Sequence, residues 1–394
     1  MSEVSTPLPS AFRFAGIVGK LRSEPNRRDI AVIVSDRPCA AAGVFTQNQV
    51  CAAPVQVSRT RVNTGGVRGI VICSGNANAC TGEQGLRDAE RMTALTAEGF
   101  GCDASQVLVA GTGVIGRPLP MPILEAAIPQ AMKAANADQQ SFLNAADAIL
   151  TTDTVRKTVI RTMPGYTVAG FAKGAAMIGP NLATMLGFLF TDATVAPADL
   201  TAILKDAADD SFNCISVEGH TSTNDTVFLL ANGIGKPLAG SDLHGFAETI
   251  RDCCRELALM IAKDAEGAKH TVTIAVTGTR TDADARRIAK TVAESALVKT
   301  AIYGADPNWG RVVSAAGYAG VPFKETELSL TMGTLLLYDR GTPLPFDTVA
   351  ASRYLRDNRE VSFALTFTQG TGRCTFHTCD LTEEYVKLNA DYTT

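Results

Sequence analysis

The sequence predicts a layered α+β (mixed α/β) protein, a sandwich of sheets and helices, and three observations predict it. Short runs rich in β-branched and aromatic residues recur, a long segment has the helical period, and strand clusters with hairpins are separated by groups of helices. In chain order the strands are expected at residues 30–35, 69–73 and 107–110, where Ile, Val and Leu dominate. Runs 159–162 and 166–171 flank Met163-Pro164-Gly165, which reads as a hairpin turn because proline presets φ and glycine accepts a left-handed conformation. Further strands are expected at 226–231, 271–277 and 361–367. The last alternates Val361, Phe363, Leu365 and Phe367 on one face, the two-residue period of a half-buried strand. Among helices the clearest spans 243–263, where Phe246, Ile250, Cys253, Leu257 and Ile261 recur at steps of three and four. Others are expected at 125–137, 198–208, 282–296 and 348–357.

Composition narrows the class of function. The 394 residues carry 36 basic and 40 acidic side chains, a formal net charge of -4, with 46% hydrophobic and 19% charged residues. That balance belongs to a folded globular chain and argues against a surface built to coat nucleic acid. At roughly 100–200 residues per domain, two or three packed units are expected. Apolar runs such as 185–190 fall far short of the roughly 20 residues of a membrane span. Glu3, Arg13 and Lys20 interrupt the first twenty residues, so no secretory signal and a cytoplasmic location are expected. The ten cysteines form no C-x-x-C pair and the four histidines are widely spaced, so free thiols and no metal site are expected.

The segment Gly111-Thr112-Gly113-Val114-Ile115-Gly116 fits the dinucleotide pattern G-x-G-x-x-G. That pattern needs a helix opening at its third glycine, and Pro118 and Pro120 prevent one there. Arg117-Pro118 likewise replaces the Lys-Ser/Thr pair of a phosphate loop. Two readings stay open for the segment: a tight turn that needs glycine, or a strand end whose N–H groups hold an anion or a developing oxyanion.

No G-x-S-x-G elbow is present and the sparse histidines supply no Ser-His or Cys-His arrangement, so an enzyme here would need another base. Cleavage before a threonine would provide one, because the freed α-amine has a pKa near 8 and sits on the nucleophile's own residue. Thr184 is a candidate: small Ala183 precedes it, and Pro180-Asn181 interrupts regular structure just before. Read without further information, the same stretch is a loop feeding a hydrophobic strand or helix.

Several segments together, in order along nearly the whole chain, resemble the ornithine acetyltransferase family of arginine biosynthesis, the bifunctional glutamate N-acetyltransferase and amino-acid acetyltransferase. They are 74–79 (Ser-Gly-Asn-Ala-Asn-Ala), 111–116, 151–154 (Thr-Thr-Asp-Thr), the stretch around Thr184, 221–226 (Thr-Ser-Thr-Asn-Asp-Thr), 306–311 (Asp-Pro-Asn-Trp-Gly-Arg) and 389–394 (Asn-Ala-Asp-Tyr-Thr-Thr). The resemblance implies a fold like that of N-terminal-nucleophile aminopeptidases and self-cleavage between Ala183 and Thr184. It implies an α chain, 1–183, forming the main layer with part of a β chain, 184–394, and a smaller C-terminal subdomain at about 280–394. Thr184 would be the nucleophile, Thr112 and Gly113 the oxyanion hole, and Thr151, Lys173, Thr184, Glu266, Asn389 and Thr394 the substrate contacts.

The reaction implied is acetyl transfer from N2-acetyl-L-ornithine to L-glutamate by a ping-pong mechanism through an acetyl-threonine. No cofactor is implied, and acetyl-CoA would be a co-substrate only of a chain that also acetylates glutamate de novo. The α and β chains would pair with each other, as a heterotetramer of two of each, without nucleic acid or membrane partners. Three positions depart from the family pattern: His220, the run Asp264-Ala-Glu-Gly-Ala-Lys-His270, and Leu182 in place of methionine. The first two bear on amine recognition and keep other chemistries open. These are a related N-terminal-threonine acyltransferase or amidohydrolase acting on another amine in secondary metabolism, an N-terminal-nucleophile aminopeptidase, and a non-catalytic anion binder.

Overall fold

The computed structural model describes residues 7–179 and 185–391. Apart from short 3-10 turns, its first unit runs β1 (Phe12–Ile17), β2 (Ile30–Phe45), α1 (Ala53–Arg61), β3 (Val67–Asn76), α2 (Gly82–Phe100), β4 (Val107–Val114), α3 (Met121–Ala134) and α4 (Gln139–Ala148). It continues with β5 (Lys157–Met163), β6 (Tyr166–Lys173), β7 (Leu186–Thr191), α5 (Pro197–Asp209), β8 (Thr226–Ala231) and α6 (Gly240–Lys263). Among the described residues these strands hydrogen-bond in the order β4-β3-β2-β8-β7-β6-β5, with β1 alongside β2.

Strand β2 joins the two halves of that path. Its residues Ile30–Val34 pair with β1 and β3, the register breaks between Val34 and Cys39, and its far end pairs with β8. A break of register of this kind bends a strand. The two halves therefore face each other across a core of Phe12, Phe14, Ile33, Phe171, Phe188, Phe190 and Phe228. Ring centroids of Phe12 and Phe14 lie 5.5 and 5.3 Å from that of Phe190. Strand alternation sends Val32 and Val34 to the opposite face, where Met92 of α2 and Leu124 and Ile128 of α3 cover them. Helices α5 and α6 cover the other outer face, packing Leu200, Leu204, Phe246, Ile250 and Leu257 on Val168, Leu189 and Leu229. The result is helix, sheet, sheet, helix, the layered α+β architecture expected.

The second unit comprises β9 (Thr271–Thr279), α7 (Asp282–Glu294), α8 (Ala296–Tyr303), α9 (Trp309–Gly317), β10 (Leu328–Met332), β11 (Leu335–Asp339) and β12 (Thr342–Pro343). It ends with α10 (Thr348–Asp357), β13 (Glu360–Phe367), β14 (Gly372–Cys379) and α11 (Glu383–Asp391). Its strands order as β12-β11-β10-β13-β9-β14 around a core that includes Ile274, Ile288, Val292, Leu330 and Leu365. The four alternating residues of β13 are buried as their spacing requires. Met163 pairs with Tyr166 across Pro164 and Gly165, whose glycine has φ +93°, so the hairpin is as read.

Three expectations need correction. Strand β4 does not stop at residue 110 but runs on to Val114, because β3 continues beside it with Ser74 opposite Thr112 and Gly75 opposite Gly113. Helix α3 starts four residues earlier than expected, at Met121, since Pro122 occupies a first-turn position where a missing N–H costs nothing. The helix expected over 282–296 is interrupted at Ser295, whose side chain accepts from Val298 N–H and so caps α8. Among the described residues no helix is long and apolar enough to cross a membrane.

Candidate active site

The parallel pair β3 and β4 forms one wall of the candidate site. Gly113 has φ +130°, and a Cβ there would lie 2.3 Å from the Gly75 carbonyl carbon, so only glycine allows the two strands to approach this closely. The glycine-rich segment is thus a strand end, not a turn. Asn224 braces it: its Nδ2 donates to Ala77 O at 2.7 Å and to Gly111 O at 2.9 Å. Thr112 beside it is buried.

A cavity of about 110 Å³ opens against this wall. Thr112, Gly113, Thr151, Lys173, Glu266 and Asn389 all line it, gathered from β4, the turn before β5, the end of β6, the turn after α6 and helix α11. Ala183, Thr184 and Thr394 lie outside the described residues. Thr152, Ser222, Thr223 and Asn224 also line the cavity and were not singled out from the sequence as site residues. Their signal was present, since they fall in the two threonine-rich segments that carry the resemblance, but roles there could be assigned only to Thr151.

Beneath the cavity lies a buried charge network. The ammonium of Lys157, fully shielded from solvent, donates to Asp153 Oδ1 at 2.7 Å and to Asp264 Oδ2 at 2.6 Å. Asp153 also accepts from Gly174 N–H at 2.6 Å and from Thr151 N–H at 3.0 Å, while Asp264 accepts from Thr154 N–H at 3.0 Å. Burial alone would raise the Asp153 carboxyl, but the lysines at 157 and 173 outweigh it and hold the group below the usual carboxylate range. Together these bonds fix the backbone on which Thr151 and Lys173 stand.

Lys173 is 2% exposed, and its Nζ lies 3.5 Å from Thr151 Oγ1. Burial pushes its ammonium down to about 8, against the pull of Asp153 and Asp225. Glu266 accepts from Asn389 Nδ2 at 3.1 Å, and burial raises its carboxyl while that hydrogen bond opposes the rise. Helix α11 reaches it because Gly267, at φ +67°, leaves room for Tyr385; a Cβ there would stand 2.5 Å from the Tyr385 nitrogen. One cation, one carboxylate and a braced strand end therefore surround a space fit for a small zwitterion. A second cavity of about 690 Å³ shares Thr151, Thr152 and Glu266 with the first. Arg22, Arg27, Arg117, Lys263 and Arg359 line it together with Glu24, Asp264 and Glu266, so cations outnumber carboxylates along this approach.

The ArgJ family model matches residues 13–394. This chain belongs to the ArgJ family. It is 44% identical over 396 residues to the arginine biosynthesis bifunctional protein ArgJ of Rhodopirellula baltica, covering 98% of this chain and 96% of that one. It is 45% identical to the protein of the same name from Symbiobacterium thermophilum, covering 98% of each. Among solved structures, the bifunctional protein ArgJ of Bacillus halodurans superposes with a TM-score of 0.51 at 37% identity, covering 53% of this chain and all of that one.

Two departures from the family pattern now have places in the fold. His220 is exposed and does not line the cavity. His270 is turned away from it: Nδ1 lies 2.7 Å from Asp380 Oδ2, Nε2 lies 2.8 Å from Leu355 O, and the bond to Asp380 raises its pKa. The rest of the run 264–270 is placed differently: Glu266 lines the first cavity, and Asp264 to Ala268 line the second.

Proposed function

We propose that this chain transfers an acetyl group from N2-acetyl-L-ornithine to L-glutamate in arginine biosynthesis, in the cytoplasm, through an acetyl ester on Thr184. The observation that carries the reading is the single cavity in which Thr112, Gly113, Thr151, Lys173, Glu266 and Asn389 meet, in a member of the ArgJ family. Maturation comes first. The Thr184 hydroxyl attacks the Ala183 carbonyl, the amide nitrogen takes a proton and leaves as the free α-amine, and water hydrolyses the resulting ester to restore the hydroxyl and leave a carboxylate on Ala183. Strand β7 pairs with β6 on one side and β8 on the other, so cleavage before β7 would leave two chains interleaved in one sheet. Such a pair is the building unit of the proposed assembly of two α and two β chains. The Bacillus halodurans chain is matched in full by 53% of this one, close to the share that a β chain of 211 residues would have, which supports the reading.

In the transfer, the Thr184 amine takes the hydroxyl proton as the oxygen bonds to the acetyl carbonyl. Negative charge on the tetrahedral oxygen develops against Thr112 and Gly113, a contribution typically of about a hundredfold to a thousandfold per donor. Collapse expels ornithine, whose α-nitrogen takes the proton. Glutamate's amine then attacks the ester and restores the threonine. No cofactor enters these steps. Lys173 suits the substrate α-carboxylate, and Glu266 suits the side-chain ammonium of ornithine.

Purified protein incubated with N-acetylornithine and glutamate should form N-acetylglutamate, and its intact-mass spectrum should show two chains divided at Thr184. Fully processed protein that forms no N-acetylglutamate would end the assignment. A pH series gives a separate check. If the Lys173 cation holds the carboxylate, its charge is present below about pH 8 and lost above it. KM for glutamate should therefore rise by roughly tenfold between pH 8 and 9.5. A KM flat across that interval would remove Lys173 from carboxylate binding.

A further inference from the structure

Strand β14 is the edge of the second unit's sheet, and the chain that follows α5 in the first unit runs along it. Ile215 bridges His377 there, and the Ser216 N–H donates to His377 O at 3.0 Å. Across this junction Cys214, which ends the short 3-10 turn Phe212–Cys214, meets Cys374 of β14 with the two sulfurs 3.8 Å apart. The two residues stand 160 positions apart in the chain, so only the docking of the units brings them together. Both are free thiols; Cys214 is buried, and Cys374 is partly exposed. No other pair of cysteine sulfurs hydrogen-bonds among the described residues.

The two thiols are not equivalent. The hydrogen bond with Cys214 lowers the Cys374 thiol, burial opposes that, and the Arg286 guanidinium adds to the lowering. The same bond and burial push Cys214 up, and its sulfur also lies 3.3 Å from Asp209 O, which can accept its proton in a hydrogen bond. Cys374 is therefore the sulfur that yields a thiolate, while Cys214 keeps its proton. Thiolate is the reactive form of cysteine, and a partly accessible thiolate beside a second cysteine is the arrangement of a redox-sensitive pair. Cys39 and Cys73 differ: both are buried, and burial pushes each up to about 12.

We propose that Cys214 and Cys374 form a reversible disulfide that fastens the second unit to the first when the protein meets a peroxide. The Cys374 thiolate attacks one peroxide oxygen; the O–O bond breaks, hydroxide leaves and takes the proton that Cys374 gave up, and a sulfenic acid remains. The Cys214 sulfur then attacks Cys374, the S–O bond breaks, and the leaving oxygen takes the Cys214 proton as water. One peroxide is reduced to two waters, and two thiols are oxidised to one disulfide. The sulfurs must close by roughly 1.8 Å to reach the bonded distance of about 2.05 Å. In a cytoplasm that keeps thiols reduced, such a bond opens again once the peroxide is gone. Past β14 the chain leads to α11 and Asn389, and past Cys214 it leads to Ser222, Thr223 and Asn224, so the bond joins two stretches that run on to the cavity lining.

Reduced protein treated with a small excess of hydrogen peroxide should lose two of its ten thiols, and a non-reducing peptide map should show the peptides of Cys214 and Cys374 joined. Closing so long a loop restricts the unfolded chain, so the melting temperature should rise by about 3–5 °C and return to its first value on addition of dithiothreitol. Cys214→Ser and Cys374→Ser should each lack both the joined peptides and the rise. A map in which both cysteines still take an alkylating reagent after peroxide overturns the proposal. So does a Cys374 carried to sulfinic acid without a link to Cys214, or a linked protein that melts no higher than the reduced one. Should a serine variant fail to fold, the map and the melting of the wild type decide. None of these outcomes touches the transferase reading, because neither cysteine lines the cavity.

Discussion

Thr184→Ala is expected to remain one chain of 41.4 kDa and to lose acetyl transfer by at least about ten thousandfold. The size of the effect follows from two losses at once. Alanine has no hydroxyl to form the acetyl ester, and without cleavage there is no α-amine to act as base. Denaturing gels read the first consequence, and N-acetylglutamate formation reads the second. Two chains persisting in the variant would refute self-cleavage at this bond. A single chain retaining transfer would refute Thr184 as nucleophile.

Replacing Lys157 by methionine should produce the largest loss of stability among single changes near the site. Methionine fills a similar volume but leaves Asp153 and Asp264 buried without the ammonium between them. Removing one partner from a buried ion pair typically costs about 3–5 kcal/mol. Asp153 and Asp264 also hold the Thr151, Gly174 and Thr154 N–H groups, so the backbone beneath the cavity should loosen and KM rise. The pH dependence has a definite sign. The wild-type Asp153 carboxyl sits below its ordinary value, so its stabilisation is present above the unfolded pKa and lost as pH falls through the folded one. In the variant Asp153 keeps its burial but loses the Lys157 charge that lowers it, so the deficit against the wild type should shrink as pH falls toward about 4. Denaturation midpoints across that interval check both claims. A variant as stable as wild type at neutral pH would show that Lys157 is dispensable.

Legibility along this chain follows the range of the interactions that make each element. Strand β13, the β5–β6 hairpin and helix α6 were readable because their signals lie within a few residues: alternation, a Pro-Gly turn, and apolar residues three and four apart. The second half of β2 was not, since Ala40-Ala41-Ala42-Gly43 has poor strand propensity and is extended because β8 pairs with it. Helix α11 depends on room left at Gly267, more than a hundred residues before it. In the site, the positions of Thr112, Gly113, Thr151, Lys173, Glu266 and Asn389 came from family resemblance. The Lys157 network had no local signature, and Asn224 and Asp225 fall in the motif 221–226, where nothing local gave them a role.

By itself the sequence determined the class of fold, several secondary elements and membership of a family, because side-chain periodicity and ordered motifs are properties of the chain. Only tertiary structure decided that the glycine-rich segment is a strand end pressed against Gly75, and that a carboxylate stands behind the amide of Met185. The physical reason is that close approach, burial and charge pairing arise between residues distant in sequence. Their energies depend on what else is excluded from water around them.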